Sequence, residues 1–138
     1  MPPNLRRVHQ IAQRAEDLDR AVAFYRDTLG VAFIARFDPP GIAFFDLGNT
    51  RLLLQPGGAS VTLYFEVDDI EASFRSLTAA GVEFVDQPHL IHRDDDGQFG
   101  AAGSEEWMVF FRDSEQNLVA LAERRMPSFV EGVADAMR

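Results

Sequence analysis

An internal repeat is the feature of this 138-residue chain that most restricts the folds open to it. Residues 10–18 and residues 62–70 are both short alternating stretches that end in two acidic residues and an aliphatic one. Each stretch is followed by apolar residues at helical spacing and then by a glycine, Gly30 in the first copy and Gly81 in the second. Self-similarity of this kind is the sequence signature of a duplicated architecture, so it predicts two units built alike.

One helix with recognisable ends is predicted in each copy. Asp17 and Asp69 stand directly before the helical patterns, where an aspartate can accept a hydrogen bond from a free N–H of the first turn. The two glycines suit the left-handed conformation that ends many helices. The patterns predict helices near residues 18–28 and 70–80, from the spacing of Leu18, Ala21, Val22, Tyr25 and Leu29 and of Ile70, Phe74 and Leu77.

Three strand-like segments follow each glycine, so each half reads β-α-β-β-β. They are residues 31–34, 42–45 and 52–54 in the first half and residues 82–85, 108–111 and 118–121 in the second. Open four-stranded sheets leave edges that need partners, and pairing the halves, within a chain or between chains, closes a cup. The sequence therefore predicts one α+β domain over residues 1–138, in which two tandem βαβββ modules, 6–56 and 60–123, form a cup-shaped, barrel-like mixed sheet.

Three segments do not follow the repeat, and the first of them, Pro39-Pro40-Gly41, is a simple turn. Residues 87–105 form a long insertion with an acidic run at 94–96, and a loop of that length is usually either functional or disordered. The acidic run has two interpretations, a solvated charge cluster or a loop that holds a metal ion. The tail, residues 126–138, predicts a short docking helix, because its apolar residues Phe129, Val130, Val133 and Met137 recur at helical spacing.

Charge and composition exclude several classes of protein. The formal net charge is −9 without a basic stripe, which predicts no nucleic-acid partner; it either serves solubility or favours a cationic ligand. No apolar run approaches the ~20 residues that span a bilayer, and no signal-like segment follows the N-terminal arginines, so we expect no membrane association and a cytoplasmic location. Without cysteine, the chain has neither a disulfide framework nor a thiolate nucleophile.

These patterns resemble those of the vicinal oxygen chelate superfamily, which includes glyoxalases, extradiol dioxygenases and bleomycin resistance proteins. The resemblance rests on residues 17–30, 65–72, 107–113 and 116–118 and covers roughly residues 6 to 123. It implies the cup-shaped fold, a small organic molecule bound in the cup, and a homodimer in which strands of two chains often complete the cups. Exposed sheet edges give the dimer a physical motive.

The resemblance also implies a divalent metal in the cup, held by His or Gln on the first strand and Glu on the last strand of each half. The matching positions here are Gln10 and Leu53, then Thr62 and Ala120. Leucine and alanine have no donor atom, and no carboxylate lies within residues 52–55 or 118–122. The sequence therefore predicts no metal and no cofactor. His89 and His92 would point to opposite faces of a regular strand and would chelate together only from a turn.

Strand alternation nominates the side chains that line the cup. If Gln10 points inward, Arg14 does too, and if Thr62 does, so do Tyr64 and Glu66. Alternatively, Arg14 and Glu66 lie near the rim and pair with each other or with solvent. We expect Gln10, Thr62 and Tyr64 to form the floor of one cavity and His89 and Trp107 its cover, unless Leu53 and the phenylalanines fill the interior. The predicted ligand-binding residues are Gln10, Arg14, Leu53, Thr62, Tyr64, Glu66, His89, Trp107 and Ala120.

Two functions remain open at this point. The first is a small-molecule-binding protein of the glyoxalase/bleomycin-resistance superfamily that lacks the usual divalent metal site. The second is a lyase, epimerase or dioxygenase of that superfamily with a non-standard site, either metal-dependent or using His89, Glu66 or Tyr64 for acid–base catalysis. No pattern assigns a catalytic residue, so whether the chain is an enzyme stays undecided, and its expected partners are a small organic molecule and a second copy of itself.

Overall fold

The computed structural model describes residues 2–127, so the docking helix predicted for the tail lies outside the described residues. Within that range the element order is β-α-β-β-β twice, which makes the fold an α+β arrangement of two like modules. Neither of its helices is long and apolar enough to cross a membrane.

The elements are β1 Gln10–Arg14, α1 Leu18–Ala23 with a π-helical turn Phe24–Thr28, β2 Ala32–Phe37, β3 Ile42–Asp46, β4 Arg51–Gln55, β5 Leu63–Glu66, α2 Ile70–Ala79, β6 His89–Asp94, β7 Ser104–Arg112 and β8 Leu118–Arg125.

The first compact unit contains β1 to β4, α1 and the turn Arg112–Leu118. Its sheet has the strand order β1-β4-β3-β2, with β1 parallel to β4 and the other pairs antiparallel. One face of this sheet packs on α1. Alternate residues of a strand point to the same side, and the residues on this side are apolar apart from Gln13. The buried residues on this side are Ala21, Val22, Tyr25, Ala43, Phe45, Leu52 and Leu54.

The second unit contains β5 to β8 and α2, with the strand order β5-β8-β7-β6. Its helix begins at the N-cap Asp69 and lies on the face that buries Val109, Phe111, Val119 and Leu121. Phe74 of α2 reaches this core through Phe84, whose ring lies 4.6 Å from that of Phe74 and 5.3 Å from that of Phe111.

The prediction of a strand over residues 82–85 is wrong, because the second strand of this module is β6, inside the segment predicted as an insertion. Residues 84–86 run beside β7 but form only an isolated bridge between Phe84 and Phe111. The ladder is interrupted because the Asp86 carboxylate accepts from the backbone N–H of Phe110 at 2.8 Å, and Pro88 has no N–H to offer.

A buried polar network holds the turn 112–118 within the first unit. Asp113 accepts hydrogen bonds from the Tyr25 hydroxyl at 2.6 Å, from the backbone N–H groups of Glu115 and Asn117 at 2.8 Å each, and from the Asn117 amide at 2.9 Å. Asn117 also donates to the carbonyl of Arg14 at 2.8 Å. Burial, followed by the neighbouring Asp113 carboxylate, raises the pKa of Tyr25, so the phenol stays protonated and donates.

Candidate functional site

Each sheet has a face opposite its helix, and we call these the first and second open faces. On the first open face β1 and β4 lie side by side, with Gln10 opposite Arg51, Ala12 opposite Leu53 and Arg14 opposite Gln55. The structure thus brings together the predicted residues Gln10, Arg14 and Leu53. Aromatic side chains extend this face across β3 and β2, where Phe44 and the half-exposed Phe37 contact edge to face at 5.9 Å.

Arg51, which strand alternation places beside Leu53, supplies a positive charge to the first open face. Its guanidinium donates to the side-chain oxygen of Gln10 at 2.8 Å and 3.2 Å, and it lies over the Phe44 ring at 5.3 Å. No carboxylate in residues 2–127 forms an ion pair with it. Arg14, in contrast, pairs with Glu16 at 2.7 Å rather than with Glu66. A free positive charge therefore lies beside Gln10.

The second open face carries Tyr64, Glu66 and Ala120, since Tyr64 is opposite Ala120 and Glu66 opposite Ala122 in the parallel pair of β5 and β8. Tyr64 is 56% exposed and contacts Phe110 edge to face at 6.0 Å. Ala120 is fully buried beside it. Thr62 is exposed and precedes the first residue of β5. That Gln10, Thr62 and Tyr64 line one common cavity stays a prediction.

The two histidines of β6 lie on the second open face together, contrary to the expectation for a regular strand. His89 is opposite Met108 and His92 is opposite Glu106, two positions that share one face of β7. The register shifts between Leu90 and His92, so one extra residue separates the histidines and a β-bulge turns both to the same side. The Nδ1 atom of His89 lies 2.8 Å from the carbonyl oxygen of Gln87.

Trp107 lies on the opposite face of β7, the one that carries Val109 and Phe111. Its indole stacks under the guanidinium of Arg125 at 4.0 Å, and its N–H donates to Glu105 at 2.9 Å. The structure therefore does not bring Trp107 to the face of His89. Sequence reasoning placed it at the mouth of a loop, whereas residues 104–112 form one strand, in which the direction of each side chain follows from its parity.

A pocket of about 560 Å³ opens on the second open face between the β6–β7 connection and β8. Sequence reasoning missed most of it, although the alternation along β7 and β8 would have placed Glu106, Met108 and Arg124 on one side. The lining residues are Ile91, His92, Phe99, Glu106, Met108 and Arg124.

Asp94 fixes the loop over this pocket and is not the solvated charge that its acidic neighbours suggest. Its side chain is almost fully buried and accepts from the backbone N–H groups of Gln98 at 2.7 Å and Phe99 at 2.9 Å. Arg124 donates to it at 2.9 Å and to Glu106 at 3.1 Å. The other two residues of the acidic run, Asp95 and Asp96, are exposed.

We expect stability to fall in acid partly through Asp94. Burial acts to raise the pKa of this carboxyl, but the N–H groups of Phe99 and Gln98, with Arg124, lower it below its ordinary value. A carboxyl whose pKa is lower in the folded state contributes stability above its unfolded pKa of about 3.9, and the contribution disappears as pH falls through the folded value. In urea unfolding from about pH 5 to pH 2, Asp94→Asn should show a weaker pH dependence than the parent.

The exposed neighbour Asp95 supplies the control for this measurement. Asp95→Asn should keep the slope of the parent, because the ion pair of Asp95 with Arg93, at 3.4 Å, lies at the surface. Equal slopes for the parent and Asp94→Asn would contradict the assignment of this acid sensitivity to Asp94.

Two sets of residues are candidates for metal ligands. Carboxylate oxygens of Asp69, Glu71 and Glu123 lie within 4.8 Å of one another, but each of these side chains already has a partner. Asp69 accepts from the N–H of Ala72, Glu123 from that of Ile70, and Glu71 pairs with Arg125. The four positions implied by the resemblance do not fit a metal either: Leu53 and Ala120 have no donor atom, Thr62 offers one hydroxyl, and the Gln10 oxygen is held by Arg51.

Comparison with known proteins agrees with the fold. The sequence matches the Glyoxalase/Bleomycin resistance protein/Dioxygenase superfamily over residues 7–121, and the chain belongs to this family. A comparison with curated protein sequences gives no match.

Solved structures with the same fold have varied descriptions. A lactoylglutathione lyase from Agrobacterium tumefaciens is 24% identical, with a TM-score of 0.64, 89% of this chain and 96% of that chain covered. A superfamily member from Sphaerobacter thermophilus is 20% identical, with a TM-score of 0.68 and coverage of 86% and 98%. TnmS3, an antibiotic-binding protein from Streptomyces, is 17% identical, with a TM-score of 0.65 and coverage of 88% and 98%. At these identities the likeness shows the fold alone.

Proposed function

We propose that the chain is a cytoplasmic small-molecule-binding protein that holds an organic ligand without a divalent metal. The observation that carries this proposal is the contact between Arg51 and Gln10 on the first open face. Gln10 stands where the family places a metal ligand, and its oxygen is already occupied by a guanidinium. The positions of Leu53 and Ala120, where the family places glutamates, supply no negative charge to offset a cation.

The energetic argument is electrostatic. A cation bound to the Gln10 oxygen would lie within about 4–5 Å of the Arg51 guanidinium, given ordinary metal–oxygen and hydrogen-bond lengths. Two unit charges 4 Å apart repel by about 4 kcal/mol in a surface-like dielectric, and a divalent ion doubles this to about 8 kcal/mol. The amide oxygen of Gln10 gives a metal ion little binding energy, and Leu53 and Ala120 give none. This binding energy does not overcome the repulsion by Arg51.

The open faces instead supply groups that hold organic molecules. Phe37, Phe44 and Tyr64 expose aromatic surface, and Arg51 and Gln10 provide polar groups that can orient a ligand. The family scaffold is compatible with such a role, since TnmS3 is described as an antibiotic-binding protein.

An enzyme using acid–base catalysis is the second candidate, favoured by the bulge that turns His89 to the face of Tyr64 and Glu66. These groups lie on β5 and β6, the two edge strands of a four-stranded sheet. Three strand spacings of about 4.8 Å separate the edges by roughly 14 Å, so His89 is too far from Tyr64 and Glu66 to act with them on one bond. Binding is therefore the function we prefer.

The proposal predicts ligand binding that is independent of metal. We expect thermal-shift screening with small aromatic and heteroaromatic compounds to find binders, with unchanged midpoint shifts after treatment with chelator. Ala12→Trp should abolish the shifts of compounds bound on the first open face, because Ala12 is exposed next to Leu53. Ala23→Trp, at an exposed position on α1, is the matched control and should keep them. Shifts that disappear with chelator, or no binder at all, would contradict the proposal.

We also propose that the protein is a homodimer. The edge strand β2 exposes Phe33, Ile34 and Phe37. An exposed apolar edge strand can pair with a strand of another chain. Light scattering at tens of micromolar should give the mass of two chains, and a monomer at that concentration would contradict the proposal.

A further inference from the structure

The pocket on the second open face is lined by both apolar and charged side chains. Ile91 and Met108 contribute aliphatic surface, and Phe99, 73% exposed, contributes an aromatic ring at the entrance. Glu106 and Arg124 are charged residues of the lining and lie 3.1 Å from each other. Sites that orient small molecules combine an apolar lining with a few polar groups in this manner.

The charged cluster of Arg124, Asp94 and Glu106 has a negative net charge. Arg124 is shared between two carboxylates, those of Asp94 and Glu106, so the three groups sum to one negative charge. Asp94 uses its oxygens on backbone N–H groups as well, whereas Glu106 accepts through Oε2 alone. Within residues 2–127 no donor bonds the Oε1 atom of Glu106, so this atom has room for a donor from a ligand.

Arg124 is poorly placed to bind an anion. A Cβ built on Gly100 would meet its Nη2 at 2.9 Å and its Nε at 3.0 Å, so the backbone of Gly100 lies against this edge of the guanidinium. The edge formed by Nη2 and Nε is one of the guanidinium edges that can hold a carboxylate through two hydrogen bonds. The remaining donor edge contacts Glu106. The carboxylate of a ligand would therefore be repelled by the net negative charge of this cluster. It would also find no free edge of the Arg124 guanidinium.

We propose that this pocket binds a small apolar molecule that carries a protonated amine. The ammonium group donates to Glu106 Oε1, the Phe99 ring offers a cation–π contact, and the apolar body of the ligand lies on Met108 and Ile91. The proposal rests on the proposed function, since it names the class of ligand that the binding protein takes. The negative net charge of the chain also concentrates cations near its surface.

Met108 provides a reporter in the pocket wall. In protein labelled with 13C at the methionine methyl groups, the Met108 signal is assigned by Met108→Leu and followed during titration. Three probes share one aromatic body: 2-phenylethylamine, 2-phenylethanol and 3-phenylpropionate. We expect saturable Met108 shifts with the amine, binding about tenfold weaker for the alcohol, as for loss of a charged hydrogen bond, and weaker still for the carboxylate.

Two matched variants locate the amine contact. Glu106→Gln should remove the preference for the amine over the alcohol, while Glu105→Gln, on the opposite face of β7 beside Trp107, should keep it. Phe99→Ala alters an exposed side chain and should weaken the amine most. Equal affinity for all three probes, or preference for the carboxylate, would overturn the ligand class and leave small-molecule binding standing. No Met108 shift with any probe would overturn the pocket as a site, and the chelator experiment tests the proposed function separately.

Discussion

Gln13→Glu should lower the free energy of unfolding by about 4 kcal/mol at neutral pH, although it exchanges only a nitrogen for an oxygen. The Gln13 side chain is fully buried, donates to the carbonyl of Val61 at 2.7 Å and accepts from its N–H at 2.9 Å. A carboxylate at this position can still accept from the Val61 N–H, but it has no proton to donate to the Val61 carbonyl oxygen. Its negative charge is also buried without a positive partner among residues 2–127.

The same substitution three residues earlier is the control. Gln10 lies on the first open face beside Arg51, so Gln10→Glu creates an ion pair near the surface and should change stability by less than about 1 kcal/mol. Urea unfolding at pH 7 compares the two variants. Repeating it near pH 5 should reduce the loss for Gln13→Glu, because a protonated carboxyl can again donate to Val61. Equal losses for the two variants would refute this account of the Gln13 contact.

Asp113→Ala should lower the free energy of unfolding by about 3 to 4 kcal/mol, since four hydrogen bonds to one buried carboxylate are lost together. The Tyr25 hydroxyl and the Asn117 amide lose a buried acceptor. The turn 112–118 loses the acceptor for its N–H groups as well.

An exposed aspartate offers the comparison for this network. Asp27 forms an ion pair with Arg26 at the surface, at 2.8 Å, so Asp27→Ala should change the unfolding free energy by less than about 1 kcal/mol in the same urea titration. A loss below about 1 kcal/mol for Asp113→Ala would mean that the network contributes little to the first unit.

The repeat and the helix starts were predictable because their signals are local. Asp17 accepts from the N–H of Arg20 at 3.1 Å and Asp69 from that of Ala72 at 3.0 Å, so both predicted N-caps are confirmed. The family could also be predicted, since its pattern follows the spacing between these caps and the strands. Each helix start depends on residues within one turn of the chain, and the repeat and the family pattern follow from the order of such local signals.

Features that depend on distant partners escaped prediction. Nothing in the order of His89, Leu90, Ile91 and His92 reveals the bulge, because it exists only relative to the register of β7. The strand β6 itself was taken for a loop, since charged and polar residues at an edge give little apolar alternation. The contact of Gln10 with Arg51 joins residues 41 positions apart and follows from the pairing of β1 with β4. Site chemistry thus depended on pairings that the sequence pattern leaves open.

The central claim is that the site works without a divalent metal, and elemental analysis tests it most directly. The protein would be expressed in medium supplemented with zinc, nickel, iron and manganese, desalted without chelator, and measured for metal per chain. The account predicts no stoichiometric metal, because Arg51 holds the Gln10 oxygen and the positions of Leu53 and Ala120 offer no ligand. One tightly held metal ion per chain, lost on treatment with chelator together with ligand binding, would contradict it.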